Sequence, residues 1–241
     1  MGSLGQRGSK GEIELRWYQG SFYWSRYKLI LMNVRFESKS VIRQETLPVE
    51  LMNFTMKDTN YRRLCSTKTV SSVNDNFPGP TIPDHKWDTV FVNIHDRGKY
   101  GITIHWHGIR QPRNPWSDGL KNIMKCPIPL NTSFTQEIIF FIEKGTLWWH
   151  AHSDWSRATK HGAIIILPTL GTTYLFPKPY AEEAIVPAKC YKGDVMTIID
   201  EALTTGGDPK ISDAITINGQ PENLYECSNI WYMEDQISNL I

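Results

Sequence analysis

From about Leu47 onward the chain alternates apolar and polar positions in short runs separated by turn residues. Asp88-Thr-Val-Phe-Val-Asn-Ile94 puts an apolar side chain at every second position, as a half-buried strand requires. Leu47 to Phe54, Lys68 to Val73 and Ser133 to Ile142 are further expected strands. Gly162-Ala-Ile-Ile-Ile-Leu167, ended by Pro168, is a continuous apolar run of the kind that fills a strand buried on both faces. Asn74-Asp-Asn-Phe-Pro-Gly-Pro80 and the Pro-, Asn- and Gly-rich stretch from Gln111 to Asn122 supply turn chemistry between them. Short strands at this spacing predict an all-β β-sandwich or barrel.

The two ends read differently. Residues 1 to about 44 are basic, with Arg7, Lys10, Arg16, Arg26, Lys28, Arg35, Lys39 and Arg43 among scattered aromatics. The segment is either a surface-binding arm or, as favoured here, a poorly ordered leader or a misassigned start. Its best apolar run, Leu29-Ile-Leu-Met32, is too short for a signal-peptide core, and no small-residue cleavage site follows. After residue 170, Leu175-Phe-Pro-Lys-Pro-Tyr180 reads as an extended linker. A short helix, Lys192 to Leu203, and a strand, Asp213 to Ile217, then begin a second unit. The expected organisation is a leader over 1–44, a first domain over 45–170, and a linker with an incomplete second domain over 171–241.

Composition narrows the function classes. The formal net charge is +1 and charged residues make up 21%, so there is no overall attraction to nucleic acid. No apolar run reaches the roughly 20 residues of a membrane-spanning helix, so neither a nucleic-acid nor a membrane partner is expected. Cysteines stand at 65, 126, 190 and 227, none in a Cys-x-x-Cys pair, which argues against a thiolate zinc site. Asn53-Phe-Thr55 and Asn131-Thr-Ser133 are N-glycosylation acceptor triplets, permissive for a secreted protein.

The histidines change the picture most. His105-Trp-His107 and His150-Ala-His152 hold four of the seven in the chain, each pair two residues apart inside an aromatic, β-branched run. Side chains two apart on a strand leave on the same face. A lone buried histidine is usually a hydrogen-bonded core residue. Two such pairs, each hemmed in by tryptophan, instead predict a four-nitrogen metal site, with the two pairs brought face to face.

Phe77-Pro-Gly-Pro-Thr-Ile82, His105-Trp-His-Gly-Ile-Arg-Gln111, Trp116-Ser-Asp-Gly119, Cys126-Pro-Ile128 and Gly145-Thr-Leu-Trp-Trp-His-Ala-His-Ser-Asp-Trp-Ser-Arg-Ala-Thr159 occur in this order. Over roughly residues 50 to 228 the chain resembles the N-terminal portion of plant laccases, which are multicopper oxidases built from cupredoxin domains. The resemblance implies a cupredoxin-like Greek-key sandwich or barrel followed by the incomplete start of a second cupredoxin domain. It implies copper as cofactor, with His105 at the type 2 position and His107, His150 and His152 at the coupled type 3 pair. It further implies O2 and phenolic molecules as reactants, and a secreted, apoplastic glycoprotein. Asp118 stands where the family has an acidic residue that helps deliver protons, and equally well where a turn needs Asp before Gly119. Asp154 and Arg157 flank the second pair and could orient it.

The type 1 copper site of the family has no counterpart in these letters, because no cysteine here has a histidine neighbour. The chain alone is therefore expected to be inactive and to need a C-terminal region or a second chain to complete a cluster. Cys126, which the family bridges to its C-terminal domain, is expected to be unpaired, and Cys65 with Cys227 is the expected bridge. Trp87 and Cys190 depart from the family pattern. Two rivals remain: a non-catalytic copper-binding or interaction module, and a zinc hydrolase suggested by His150-Ala-His-Ser-Asp154, which lacks the histidine that motif needs at Trp155. His85, His95 and His161 have no partner at ligand spacing and are not expected to be ligands.

Overall fold

The structure is a computed structural model that describes residues 32–36 (backbone only), 51–153, 156–177 and 180–221. In chain order the strands are β1 Met32–Phe36, β2 Leu51–Arg63, β3 Ser66–Val73, β4 Ile82–His85, β5 Thr89–Arg97, β6 Ile104–His107, β7 Ser133–Ile139, β8 Gly145–Ala151, β9 His161–Leu167, β10 Ala181–Ile185, β11 Pro187–Cys190, β12 Ala214–Ile217 and β13 Gln220–Pro221; the helix α1 is Val195–Thr205. Two four-stranded sheets, ordered β3-β2-β5-β7 and β4-β9-β8-β6, form the body of the molecule. Both sheets keep free edges, so of the two expected alternatives the sandwich is realised and the barrel is not. Parallel pairing of β2 with β5 and of β4 with β9 means that the chain crosses over rather than meandering.

Alternation builds the core. On β5, Val90, Val92 and Ile94 point inward, while Phe91, Asn93 and His95 do not. Phe54 and Met56 of β2 and Ile138 of β7 line the same interior, facing Ile104, Trp106, Trp149, Ile164 and Ile166 of the other sheet. Each large apolar side chain buried in this way stabilises the fold by roughly 1.5–3 kcal/mol. At the centre, Trp149 packs its ring 4.7 Å from that of Phe54 and donates its indole N–H to the Pro80 carbonyl at 2.9 Å. Gly79 and Gly162 lie against this ring so closely that a Cβ on either would sit 2.7 Å from Trp149 atoms.

Several expectations are revised. β2 is described from Leu51, residues 47–50 lying outside the described residues, and it runs nine residues past Phe54 to Arg63. Its second half, Lys57 to Arg63, is polar and carries no alternation signal. It is held by pairing with β3 and by contacts such as Thr59 Oγ1 with Ser72 Oγ at 2.8 Å. The expected strand to Ile142 ends at Ile139, and the helix begins at Val195, capped by the Asp194 carboxylate accepting from the Thr197 N–H at 2.9 Å. Within the basic leader, Met32–Phe36 is a strand paired antiparallel with β10; the rest of residues 1–44 lies outside the described residues. β11, β12 and β13 form a small separate sheet, joined to the sandwich where the Arg63 side chain donates to the Gly219 carbonyl at 2.8 Å.

Candidate metal centre

The sequence pattern of β6, Ile-His-Trp-His, sends Ile104 and Trp106 into the core and His105 and His107 to the outer face of the sheet. β8 lies beside it, antiparallel, with His105 opposite His150, Trp106 opposite Trp149 and His107 opposite Trp148. Directly opposed residues share a face. The two pairs therefore stand side by side on neighbouring strands of one sheet rather than face to face, and all four imidazoles crowd one patch. His105 is 5.3 Å from His107, 5.2 Å from His150 and 5.5 Å from His152, ring centre to ring centre. His150 is 5.7 Å from His107 and 5.3 Å from His152. In His105, His107 and His150, one ring nitrogen of each lies within 4.8 Å of the others. His152 stands just past the end of β8, tied down by its N–H to the Thr103 carbonyl at 2.8 Å.

Neighbouring groups hold the rings. Trp148 stacks on His150 with centroids 4.1 Å apart and leans on His107 at 5.3 Å. The His150 Nδ1–H donates to the Ala151 carbonyl at 2.9 Å. His105 Nδ1–H donates to Asp118 Oδ1 at 2.8 Å, and the same oxygen accepts the Trp106 backbone N–H at 3.0 Å. In both histidines this tautomer leaves the lone pair on Nε2. His107 Nδ1 is buried with no hydrogen-bond partner.

The electrostatics favour the neutral form of His107, His150 and His152. Burial, reinforced by the adjacent His105, pushes the pKa of His107 and His152 down. Burial drives that of His150 down to about 2, only partly opposed by its bond to the Ala151 carbonyl. Neutral imidazole is the form that binds metal, so no proton need be displaced from these three rings near pH 7. A set of neutral nitrogen donors, one of them an orphaned buried atom, fits a borderline metal such as copper.

The remaining candidates fall elsewhere. Asp118 closes a short 3-10 turn over Pro115–Ser117, its N–H donating to the Pro115 carbonyl, while its carboxylate bonds His105. Trp106 Nε1 donates to the Ser117 carbonyl at 2.7 Å and holds that turn against β6. Asp154 lies outside the described residues, and the Arg157 carbonyl accepts from His161 Nδ1 at 2.9 Å. His161 is opposite His150 on β9, yet it is buried, packs 5.7 Å from Phe77 and takes no place in the cluster. His95 pairs with Asn93 at 2.8 Å. His85 groups with Asp84 and Asp88 at the far edge of the sheet from β6. Cys126 and Cys190 are free thiols and Cys65 is a half-cystine; its expected partner Cys227 lies outside the described residues.

Three supporting residues escaped the sequence reading. Ser153 Oγ accepts the Thr103 N–H at 2.7 Å, and Trp148 sandwiches His150. Lys125 has a buried amine with no hydrogen-bond partner, 4.8 Å from the Phe134 ring, and burial lowers its pKa to about 8. The doubled tryptophan before His150 was the one available signal; Ser153 reaches Thr103 across 50 residues, and no local pattern marks the burial of Lys125.

Comparison with known proteins gives a consistent picture. A family model described as multicopper oxidase matches residues 55–170. The chain is similar to Laccase-21 of Oryza sativa subsp. japonica, 51% identical over 176 residues, which is 73% of this chain and 30% of that protein. Laccase-14 of Arabidopsis thaliana is 48% identical over 176 residues, covering 73% of this chain and 31% of the relative. The chain thus spans about 30% of the length of the curated relatives it matches. Among solved structures, Fet3p, a multicopper oxidase that functions in iron import, superposes with a TM-score of 0.60 at 20% identity over 70% of this chain and 32% of its own. The laccase from Botrytis aclada gives 0.57 at 22% identity over 71% and 31%. At these identities the structures speak to the fold alone, which is cupredoxin-like. No helix among the described residues is long and apolar enough to cross a membrane.

Proposed function

We propose, from the premise that residues 55–170 belong to the multicopper oxidase family, that this laccase-like chain is the copper-holding N-terminal portion of an oxidase acting on phenols with O2. The observation that carries the reading is the convergence of four imidazoles on one sheet face, three of them with donor nitrogens within 4.8 Å of one another. His105 would hold the type 2 copper, and His107, His150 and His152 would supply this chain's share of the type 3 pair. Bound copper would supply one-electron chemistry toward O2, whose four-electron reduction to water is the family reaction. The chain's own residues do the positioning. Asp118 fixes the tautomer of His105 and stands close enough to pass a proton toward the patch. Trp148 and the core beneath keep the rings in place.

The organisation follows from this reading: a cupredoxin domain over 45–170, then a linker and the beginning of a second such domain over 171–241. The four histidines make only part of a trinuclear ligand set and there is no Cys-His type 1 set, so a C-terminal region or a second chain would complete the cluster. Secretion to the apoplast belongs to the same proposal.

Copper(II) titration of the purified chain, followed by electron paramagnetic resonance and optical absorption, tests the metal assignment. Binding that is lost in H105A/H150A and not matched by equimolar zinc is the expected result. Preference for zinc, or retention of copper by the double variant, would overturn it. Oxygen uptake with a phenolic donor should show no turnover by the chain alone; sustained turnover would refute the incomplete cluster. A purely non-catalytic copper module is the second reading, favoured by the absence of any further histidine in the cluster among the described residues.

A further inference from the structure

We propose that Asn131 is an N-glycan acceptor and that the polar cleft beside it seats the first sugar. Two acceptor triplets occur in the sequence, and the fold separates them. In Asn53-Phe54-Thr55 the middle residue is wholly buried in the core and the Asn53 carboxamide oxygen accepts from Asn93 Nδ2 at 3.2 Å, so the triplet is woven into β2. Asn131-Thr132-Ser133 instead forms the turn that enters β7, and all three residues are exposed. Asn131 takes a left-handed conformation at φ 58°, a geometry that asparagine tolerates. Its N–H is fixed by the Asp96 carbonyl at 2.7 Å, and Thr132 Oγ1 donates to the Pro129 carbonyl at 2.7 Å. The turn is therefore both presented and held.

Next to it lies a cleft of about 330 Å³ lined by His95, Asp96, Arg97, Asn131, Thr132 and Ser133. That volume is at the small end for ligand pockets. The lining offers an imidazole, a guanidinium and hydroxyls, groups that hydrogen-bond sugar hydroxyls and an acetamido group. The cleft belongs to the β3-β2-β5-β7 side of the sandwich, where His95 is opposite Ser133, and the imidazole cluster is on the outer face of the other sheet. A glycan here is bulky and solubilising, and it leaves the histidine face clear for whatever completes the cluster. Cys65 as a half-cystine is in keeping with an oxidising compartment, the one in which such transfer takes place.

The step is a group transfer with no change of oxidation state. Asn131 Nδ2 forms a bond to the anomeric carbon of a lipid-pyrophosphate-linked oligosaccharide. The anomeric C–O bond breaks, the lipid pyrophosphate leaves, and one amide proton is lost to base.

The full chain, carrying an appended cleavable leader, is translated with microsomes, and protease protection confirms its luminal location. The expected result is one endoglycosidase-sensitive mass increase that N131Q and S133A abolish and N53Q keeps. S133T, which preserves the acceptor hydroxyl, should retain the glycan and so separates loss of acceptor from misfolding. Protected chain without the increase, or N131Q with the whole increase, overturns the assignment. Seating of the sugar is read separately by comparing protein trimmed to one sugar with N131D. Higher thermal stability of the trimmed form supports the cleft, and equal melting of the two overturns that part.

Discussion

Asp118 offers the sharpest test of how the cluster is held. One carboxylate oxygen accepts both the His105 Nδ1–H at 2.8 Å and the Trp106 backbone N–H at 3.0 Å. D118A removes both bonds at once. Trp106 is fully buried, so its N–H would be left unpaired, at a cost of about 1–3 kcal/mol of folding stability. His105 would also lose the partner that fixes its tautomer, and losing such a partner typically lowers metal affinity 10–100-fold, or about 1.4–2.8 kcal/mol. D118N keeps a carbonyl oxygen where Oδ1 now sits, so it should preserve most of the stability while losing the charge that makes His105 a better donor. Urea unfolding of the copper-free protein measures the first effect, and competition against a chromophoric chelator measures copper affinity. The expected order of copper affinity is wild type, then D118N, then D118A, with D118N close to wild type in urea midpoint. If D118A lost stability but bound copper within threefold of wild type, Asp118 would be a turn residue only, and its assignment to the metal site would fail.

Two further outcomes follow from the packing and the charge states. G162A places a Cβ 2.6 Å from the Pro80 carbonyl and 2.7 Å from Trp149 Nε1, both held in the core, so it should destabilise by about 1–3 kcal/mol in urea unfolding; an unchanged midpoint would mean that the Trp149 pocket is looser than described. His150 is driven down to about 2 by burial, well below its unfolded value, so below about pH 6.5 the unfolded chain binds the extra proton and copper-free stability should fall as the pH drops. From pH 6.5 to 5 this amounts to about 2 kcal/mol for this one side chain. A urea midpoint in H150F that depends on pH as steeply as wild type would count against it.

What the letters disclosed, they disclosed through periodicity. Val90, Val92 and Ile94 alternate in the sequence and fill the core; the i, i+2 histidines alternate too, and share a face. Where burial does not shape composition, the reading failed. Lys57 to Arg63 is a polar strand made by hairpin pairing, and β1 with β10 joins segments some 150 residues apart, which no local pattern records. That the two histidine pairs sit on hydrogen-bonded neighbouring strands of one sheet, His105 opposite His150, was not legible, because sheet neighbours are set by crossover topology, not by spacing along the chain. Asp118 was found by resemblance, but its dual bond to a ligand and to the backbone beneath became visible only in three dimensions.

The register of β8 against β6 ties chemistry to foldedness. Trp149 faces Trp106 inside and His150 faces His105 outside, on consecutive peptide units of the same two strands. A slip of one residue would drive imidazoles into the hydrocarbon interior and expel both indoles into water. Misregistered forms are thus penalised twice, and partial unfolding that frees the donors must also open the hydrophobic centre. Such a centre should appear and vanish in a single cooperative event, so a newly made chain would be ready for its metal as soon as it is folded, and not before.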